Sequence, residues 1–185
     1  MATKYRCDFY SQNVDESGND QQWRIDIDSA SYSGAVNDFR CTSDGFTLNM
    51  DGGDDNMLAP IKTTSVTFNM VLENATLEGI VDELLNVATG NEDDFTIAIY
   101  NYYASGWRTY WVGYLIGDLV TLDDTSINRI IQIQATDGLN LLKYKEFDPS
   151  TFGGSRSMIN LIKVCLTQLP LIDSYYGDTD EYIAH

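Results

Sequence analysis

Alternation of apolar and polar residues is the strongest pattern along the chain. A period of two residues places successive side chains on opposite faces of a β-strand, so alternation predicts a strand with one buried face. The segments that show it are residues 5–9, 23–28, 64–72, 95–99 and 131–136, and residues 107–117 are predicted to form a further, long strand. Because these segments follow one another with short polar breaks, we expect hairpins and mainly antiparallel pairing.

Polar stretches separate the predicted strands. Residues 11–21 read as a long hairpin loop, and a Ser-Asp-Gly turn divides two short strands at 39–41 and 46–50. An acidic loop follows at 51–56, and a turn is predicted at 101–106. Loops on a rigid β scaffold often carry recognition, so they are candidate contacts with other subunits or neighbouring proteins. The candidate contact residues are Asp15, Asn19, Asp51, Asp54, Asp55, Tyr102 and Tyr103.

Two segments have the three- and four-residue apolar spacing of a helix. The first runs from about residue 75 to 88, with Asn74 as its N-cap and Gly90 at its C-terminal end. The second begins at Ser155 or Ser157 and ends before Pro170, since proline cannot continue a helix.

The order of these elements predicts an α+β fold, in which a mainly antiparallel β-sandwich or barrel carries one or two packed helices. We expect residues 1–150 to form the β domain, with the helix near 75–88 inserted in it. Residues 151–185 are expected to add a C-terminal helix and tail packed on that domain.

The chain is strongly acidic, with 11 basic and 28 acidic residues and a net charge of -17. Such a surface repels phosphate, which argues against specific nucleic-acid binding. We expect neither a signal peptide nor insertion into a membrane, because no apolar run is long enough. The three cysteines stand at no metal or redox spacing and are predicted to be buried free thiols, as suits folding in a reducing cytoplasm.

Familiar catalytic arrangements find little support. The only histidine is His185, which argues against Ser-His-Asp or Cys-His catalysis and against a His/Cys metal site. Asp51, Asp54 and Asp55 could hold a hard cation, but a solvated acidic loop explains them more simply. We therefore expect no enzymatic activity, no metal and no cofactor.

Two other functions remain open. Trp107, Tyr110 or Trp111 could form an aromatic platform for sugar rings, as in a carbohydrate-binding or adhesin module. A carboxylate-based hydrolase is the weaker alternative, because nothing in the sequence orders the acidic residues into a pair.

The region from Tyr110 to Leu171 resembles a known family. The succession "YWVGYLIGDLV", "IQIQATDGLNLLKYKEF" and "SMINLIKVCLTQLPL" is similar to the N-terminal part of tail and baseplate hub proteins of tailed bacteriophages. The front half, from "YRCDFY" to "PIKTTSVTFNMVLEN", resembles the opening module of those proteins. The specific matches are Trp111, Gly113, Ala135, Asp137, Gly138 and Leu142.

The resemblance implies a structural role in the virion. Proteins of this kind build rings from tube-like β-barrel modules and connect the tail tube to distal tail parts. It implies a homo-oligomeric ring, either trimer or hexamer, made in the host cytoplasm and bound to other tail or baseplate proteins. The ring would enclose the channel through which DNA leaves, and a negative lining would keep that DNA from binding.

Asp137-Gly138 ends the strand that contains Ile131 and Ile133. Asp satisfies local backbone donors and Gly permits positive φ, so the pair is predicted to be a structural corner and not a catalytic site. On this interpretation Asp137→Asn leaves any function largely intact, whereas Gly138→Val damages folding.

Overall fold

The computed structural model describes residues 2–14, 18, 20–51, 63–87, 95–103, 106–117, 120–123 and 129–137. All of them belong to one compact unit, which ends at Asp137. The predicted second helix, the domain boundary at residue 150 and the positions of Gly90, Gly138 and Leu142 lie outside the described residues.

Strands dominate the described ranges, and one helix interrupts them. The elements are β1 (Ala2–Val14), β2 (Asp20–Ser29), β3 (Asn37–Asp38), β4 (Arg40–Asp51), β5 (Thr63–Leu72), α1 (Ala75–Val87), β6 (Phe95–Tyr103), β7 (Gly106–Leu115), β8 (Thr121–Asp123) and β9 (Arg129–Thr136).

The strands form a single sheet in the order β3-β1-β2-β6-β7-β9-β5-β4, with β8 paired to β9. Every pairing is antiparallel except the short one between β1 and β3. The predicted mainly antiparallel β structure is confirmed. Its ladder of hydrogen bonds stays open, because β1 and β4 are not paired with each other in the described sheet.

The sheet is strongly curled all the same. Five strands separate β1 from β4, which would hold them roughly 25–30 Å apart in a flat sheet at about 4.8 Å per strand. Yet the rings of Phe9 on β1 and Phe46 on β4 are 6.3 Å apart. The Cys41 thiol also hydrogen-bonds Cys7, which raises the pKa of Cys41. Strands β1 and β4, at opposite edges of the sheet, therefore come together around a shared core.

The concave face of the curled sheet holds the apolar core. Alternate residues of β2, β5 and β9 point into it, among them Ile25, Phe68 and Ile133, which are almost fully buried. Cys7 is a buried free thiol, as predicted, whereas Cys41 is free but only half-buried; Cys165 lies outside the described residues.

Helix α1 covers part of this core. Leu77, Ile80 and Val81 recur at three- and four-residue spacing and are buried. The predicted cap is confirmed, since the Leu77 backbone N–H donates to Asn74 Oδ1 at 3.0 Å. On its outer side, Glu83 pairs with Lys4 of β1. This helix is also too short to cross a membrane, and it is the one helix that the described ranges contain.

Three predicted loops are wrong in extent. The two short strands around residues 43–45 are one strand, β4, whose register shifts between Cys41 and Phe46 and whose Gly45 has φ +63°. Strands β1 and β2 extend through Val14 and from Asp20, so the hairpin loop is shorter than residues 11–21. Strand β6 likewise continues to Tyr103, and β8 was not predicted.

Strands β2, β6 and β7 share an unequal distribution of burial along their length. The last five residues of β2 and β7 and the first five of β6 are all buried, on both faces. The other half of each strand is half-buried or exposed. Because the strands are antiparallel neighbours, their buried halves lie together at one end of the sheet and their exposed halves at the other.

Candidate functional site

At the buried end, a chain of hydrogen bonds links β7, β5 and the end of β9. Trp111 Nε1 donates to Thr64 Oγ1 at 2.8 Å, and Thr64 Oγ1 donates to Asp137 Oδ2 at 2.9 Å. The Thr64 backbone N–H donates to the same carboxylate oxygen at 2.6 Å. Asp137 N in turn donates to the Thr64 carbonyl at 3.0 Å. We call Thr64, Trp111, Gly113, Thr136 and Asp137 the corner.

Gly113 permits close packing in the corner. A Cβ atom at this position would overlap the Thr136 carbonyl oxygen and the Trp111 indole. A glycine inside a strand commonly marks such a close approach of backbones. Only a residue without a side chain lets β7 meet β9 beneath the indole.

The corner lies where only the ends of β7 and β9 overlap. Strand β7 pairs with β9 through only Tyr114↔Thr136 and Leu115↔Ala135, whereas the ladder between β6 and β7 has eight pairs. Strand β9 ends at Thr136, opposite Tyr114, and the Trp111 side chain reaches past this end to Thr64 on β5. The hydrogen-bond chain therefore links β7 directly to β5 where β9 ends.

Of the six residues on which the resemblance rests, the structure brings together Trp111, Gly113 and Asp137, and it places Ala135 buried on β9, paired with Leu115 of β7. Gly138 and Leu142 lie outside the described residues. Sequence reasoning missed Thr64, the residue that connects the others. Its only signal was a hydroxyl at the start of a predicted strand, far from Trp111 and Asp137 along the chain.

The exposed end of the sheet carries a cluster of aromatic side chains. Trp23 packs edge-on against Phe46 and Tyr110, with ring centroids 5.1 and 4.9 Å away. Tyr110 is the extra residue of a bulge in the β6–β7 ladder, where Ile99 pairs with Trp111 and Tyr100 with Thr109. We call this end of the sheet, which contains Trp23, Phe46 and Tyr110, the aromatic rim.

On the other face of the rim, Arg24 covers Trp107. The guanidinium lies 4.2 Å from the indole centroid, and Tyr102 packs edge-on at 5.3 Å. Of the three aromatic residues predicted as a sugar platform, Trp111 is buried in the corner and Trp107 is half-buried beneath Arg24. Tyr110 alone presents a largely open ring, 51% exposed.

The predicted contact residues fall partly on the rim. Tyr102 and Tyr103 are exposed, but they end strand β6 and do not stand in a loop. Asp51 is the last residue of β4. Asp15, Asn19, Asp54 and Asp55 lie outside the described residues.

Two open cavities flank Trp23. One, of about 310 Å³, lies on the β1 and β4 side and is lined by Phe9, Tyr10, Asp44 and Phe46, among others. The second, of about 300 Å³, lies on the β6 and β7 side. We call the second the rim cavity; its lining includes Gln21, Trp23, Asn101, Tyr103, Arg108 and Tyr110.

Two carboxylates on the convex face are held by arginines. Arg6 binds Asp26 through two hydrogen bonds of 2.8 and 2.7 Å, and Arg24 binds Asp8 through two of 2.6 and 2.9 Å. Carboxylates bound in this way are poorly placed for acid or base catalysis. Burial, followed by the charges of Asp26 and Asp28, raises the pKa of nearby Tyr100 to about 12.

Metal-binding groups are also dispersed in the described ranges. No three His, Cys, Asp or Glu side chains there approach closely enough to share an ion. Comparison with protein-family models, with curated sequences and with solved structures finds no match to the chain.

Proposed function

We propose that the chain is a structural component of a bacteriophage tail tip or baseplate, and that it forms part of a ring around the tail axis. In this role it connects the tail tube to distal parts and lines the DNA exit channel. The curled sheet would serve as the tube-like barrel module of each subunit.

The corner is the observation that carries the proposal. Trp111, Gly113 and Asp137, which are among the residues that carry the resemblance to hub proteins, lie together in one small structure that links β7, β5 and the end of β9. A ring subunit needs fixed curvature, because errors in its shape accumulate around the closed assembly. The net charge of -17 also suits a conduit that must not retain DNA.

Native mass spectrometry of the purified full chain, with imaging of virions, tests the proposal. We expect assemblies of three or six copies, and one ring of this mass at the tail tip. Monomers at every concentration, together with absence of the chain from virions, would refute it.

A matched pair of variants tests the predicted contact at the rim. Tyr102 is 41% exposed and Val36 is 42% exposed. We expect Tyr102→Ser to shift assemblies towards monomers, whereas Val36→Ser leaves them unchanged. Equal effects of the two variants would remove Tyr102 from the ring contact.

A further inference from the structure

The rim cavity continues the core face of the sheet, with a change of chemistry. Trp23, Asn101 and Arg108 are register neighbours across β2, β6 and β7. Two residues further along β2 and β6, the same face carries Ile25 and Ile99, and on β7 it carries Trp111, three residues from Arg108 because Tyr110 is the extra residue of the bulge. The cavity is therefore formed by residues on rigid strands, at the point where the side chains on this face of the sheet change from apolar to polar.

Its walls offer aromatic surface. Trp23 and Tyr110 meet edge to face, which turns parts of both rings towards the cavity that they line. Tyr103, 56% exposed, lines the cavity as well. Aromatic rings of this kind bind apolar C–H surfaces at low cost in conformational entropy, and a sugar ring presents such a surface.

Two of its polar side chains, Asn101 and Arg108, carry hydrogen-bond donors without acceptors. The Asn101 amide nitrogen is buried and has no hydrogen-bond partner. Five of the six basic side chains in the described ranges pair with carboxylates: Lys4, Arg6, Arg24, Arg40 and Arg129. Arg108 is the exception; its guanidinium lies 4.8 Å from the Tyr103 ring centroid instead.

The charge around Arg108 is unusual for this chain. Acidic residues number 28 of 185, yet none of the described residues that line the rim cavity is Asp or Glu. An unpaired guanidinium in such a cavity is matched to a carboxylate, which it can bind through two parallel hydrogen bonds. An acceptor oxygen of the same ligand would supply the partner that Asn101 lacks.

We propose that the rim cavity binds a carboxylated saccharide, such as a hexuronate unit of a surface polysaccharide. The sugar ring packs against Trp23 and Tyr110, Arg108 binds the carboxylate, and the Asn101 amide donates to a ring or hydroxyl oxygen. This site does not depend on ring assembly.

Paired ligands test this assignment. The full chain is titrated calorimetrically with hexuronate-containing oligosaccharides and with the same oligosaccharides after reduction of their carboxyl groups. We expect binding of the acidic ligands and affinity lower by about 10- to 100-fold for the reduced ones, the range for hydrogen bonds to charged groups. No binding of any acidic oligosaccharide, or equal affinity for both forms, would overturn the proposal.

Variants separate the site from nonspecific attraction. Arg108→Gln should remove most of the preference for the acidic form, and Tyr110→Ala should weaken both forms. Tyr10→Ala is the control, because Tyr10 is 67% exposed and lines the neighbouring cavity. An Arg108→Gln variant that keeps both its melting temperature and its preference for the acidic form would contradict the assignment, as would an image of virions with a neighbouring protein filling the cavity.

Discussion

The two ends of the sheet use the same strands for opposite purposes. At the corner end, β2, β6 and β7 are buried on both faces and linked to β5 and β9 by Trp111, Thr64 and Asp137. At the rim, β6 and β7 expose tyrosines, and the same three strands line the rim cavity. Burial and satisfied hydrogen bonds stabilise a fold, whereas exposed aromatic and donor groups are available to partners.

The sharpest contrast is between two glycines of β7. Gly113→Val should destabilise the protein by about 3 kcal/mol or more, because the new side chain overlaps the Thr136 carbonyl and the Trp111 ring. Gly106→Ala, at the rim end, finds open space and should change the free energy of unfolding by less than about 0.5 kcal/mol. Urea unfolding measures both, and similar losses would break the distinction between the two ends.

Two ion pairs of the β1–β2 ladder offer the next test. Arg6–Asp26 and Arg24–Asp8 are both register neighbours with two hydrogen bonds each. The Asp26 side chain is 5% exposed, however, and that of Asp8 is 46% exposed. Arg6→Gln should cost about 2–3 kcal/mol, because it leaves a buried carboxylate without its charge partner. Arg24→Gln should cost less than about 1 kcal/mol.

The same unfolding measurements decide this second comparison. An equal cost for both substitutions would show that burial does not distinguish the two pairs.

Two substitutions of Asp137 distinguish the contribution of hydrogen bonding to the stability of the corner from the contribution of charge. Asp137→Ala removes the acceptor of two Thr64 donors and should cost about 1–3 kcal/mol. Asp137→Asn keeps an acceptor oxygen and should cost less than Asp137→Ala, while any function persists. Loss of ring assembly or of saccharide binding in a stably folded Asp137→Asn variant would instead give the carboxylate a functional role.

The smallest effect concerns Tyr100, where the buried half of β6 meets the rim. Its pKa is raised from 10.0 to about 12, chiefly by burial, so the folded state favours the neutral phenol. This contribution to stability is complete below pH 10 and is lost as the pH rises from 10 to about 12. Tyr100→Phe should therefore reduce the alkaline fall in the free energy of unfolding. An unchanged fall would assign it to other groups, such as Tyr5, whose pKa is also raised by burial.

Sequence patterns predicted the buried end well and the rim poorly. Alternation of apolar and polar residues predicted β5 and β9 correctly, because one face of each strand is packed against the core. Asn74, as a helix N-cap, correctly predicted the start of α1. At the rim, consecutive residues of β2 and β6, which point to opposite faces, are half-buried or exposed, so these segments lack the alternation that predicts a strand. Residues 11–21 and 101–106 consequently resembled loops.

The corner could be predicted only in part. Trp111, Gly113 and Asp137 stood out as motif residues, but Thr64 is 47 positions from Trp111 and 73 from Asp137. No local pattern encodes a contact at that distance. Likewise, the rim cavity depends on the register of three strands and on a bulge at Tyr110, neither of which periodicity specifies.

Amide hydrogen exchange along β2, β6 and β7 tests most directly whether stability is concentrated at one end of the sheet. Each strand contains both ends and serves as its own control. We expect residues 25–29, 95–99 and 111–115 to exchange only through global unfolding, and residues 20–24, 100–103 and 106–110 to exchange through smaller, local openings. Uniform protection along each strand, or greater protection at the rim, would contradict the division between a stabilising corner and a binding rim.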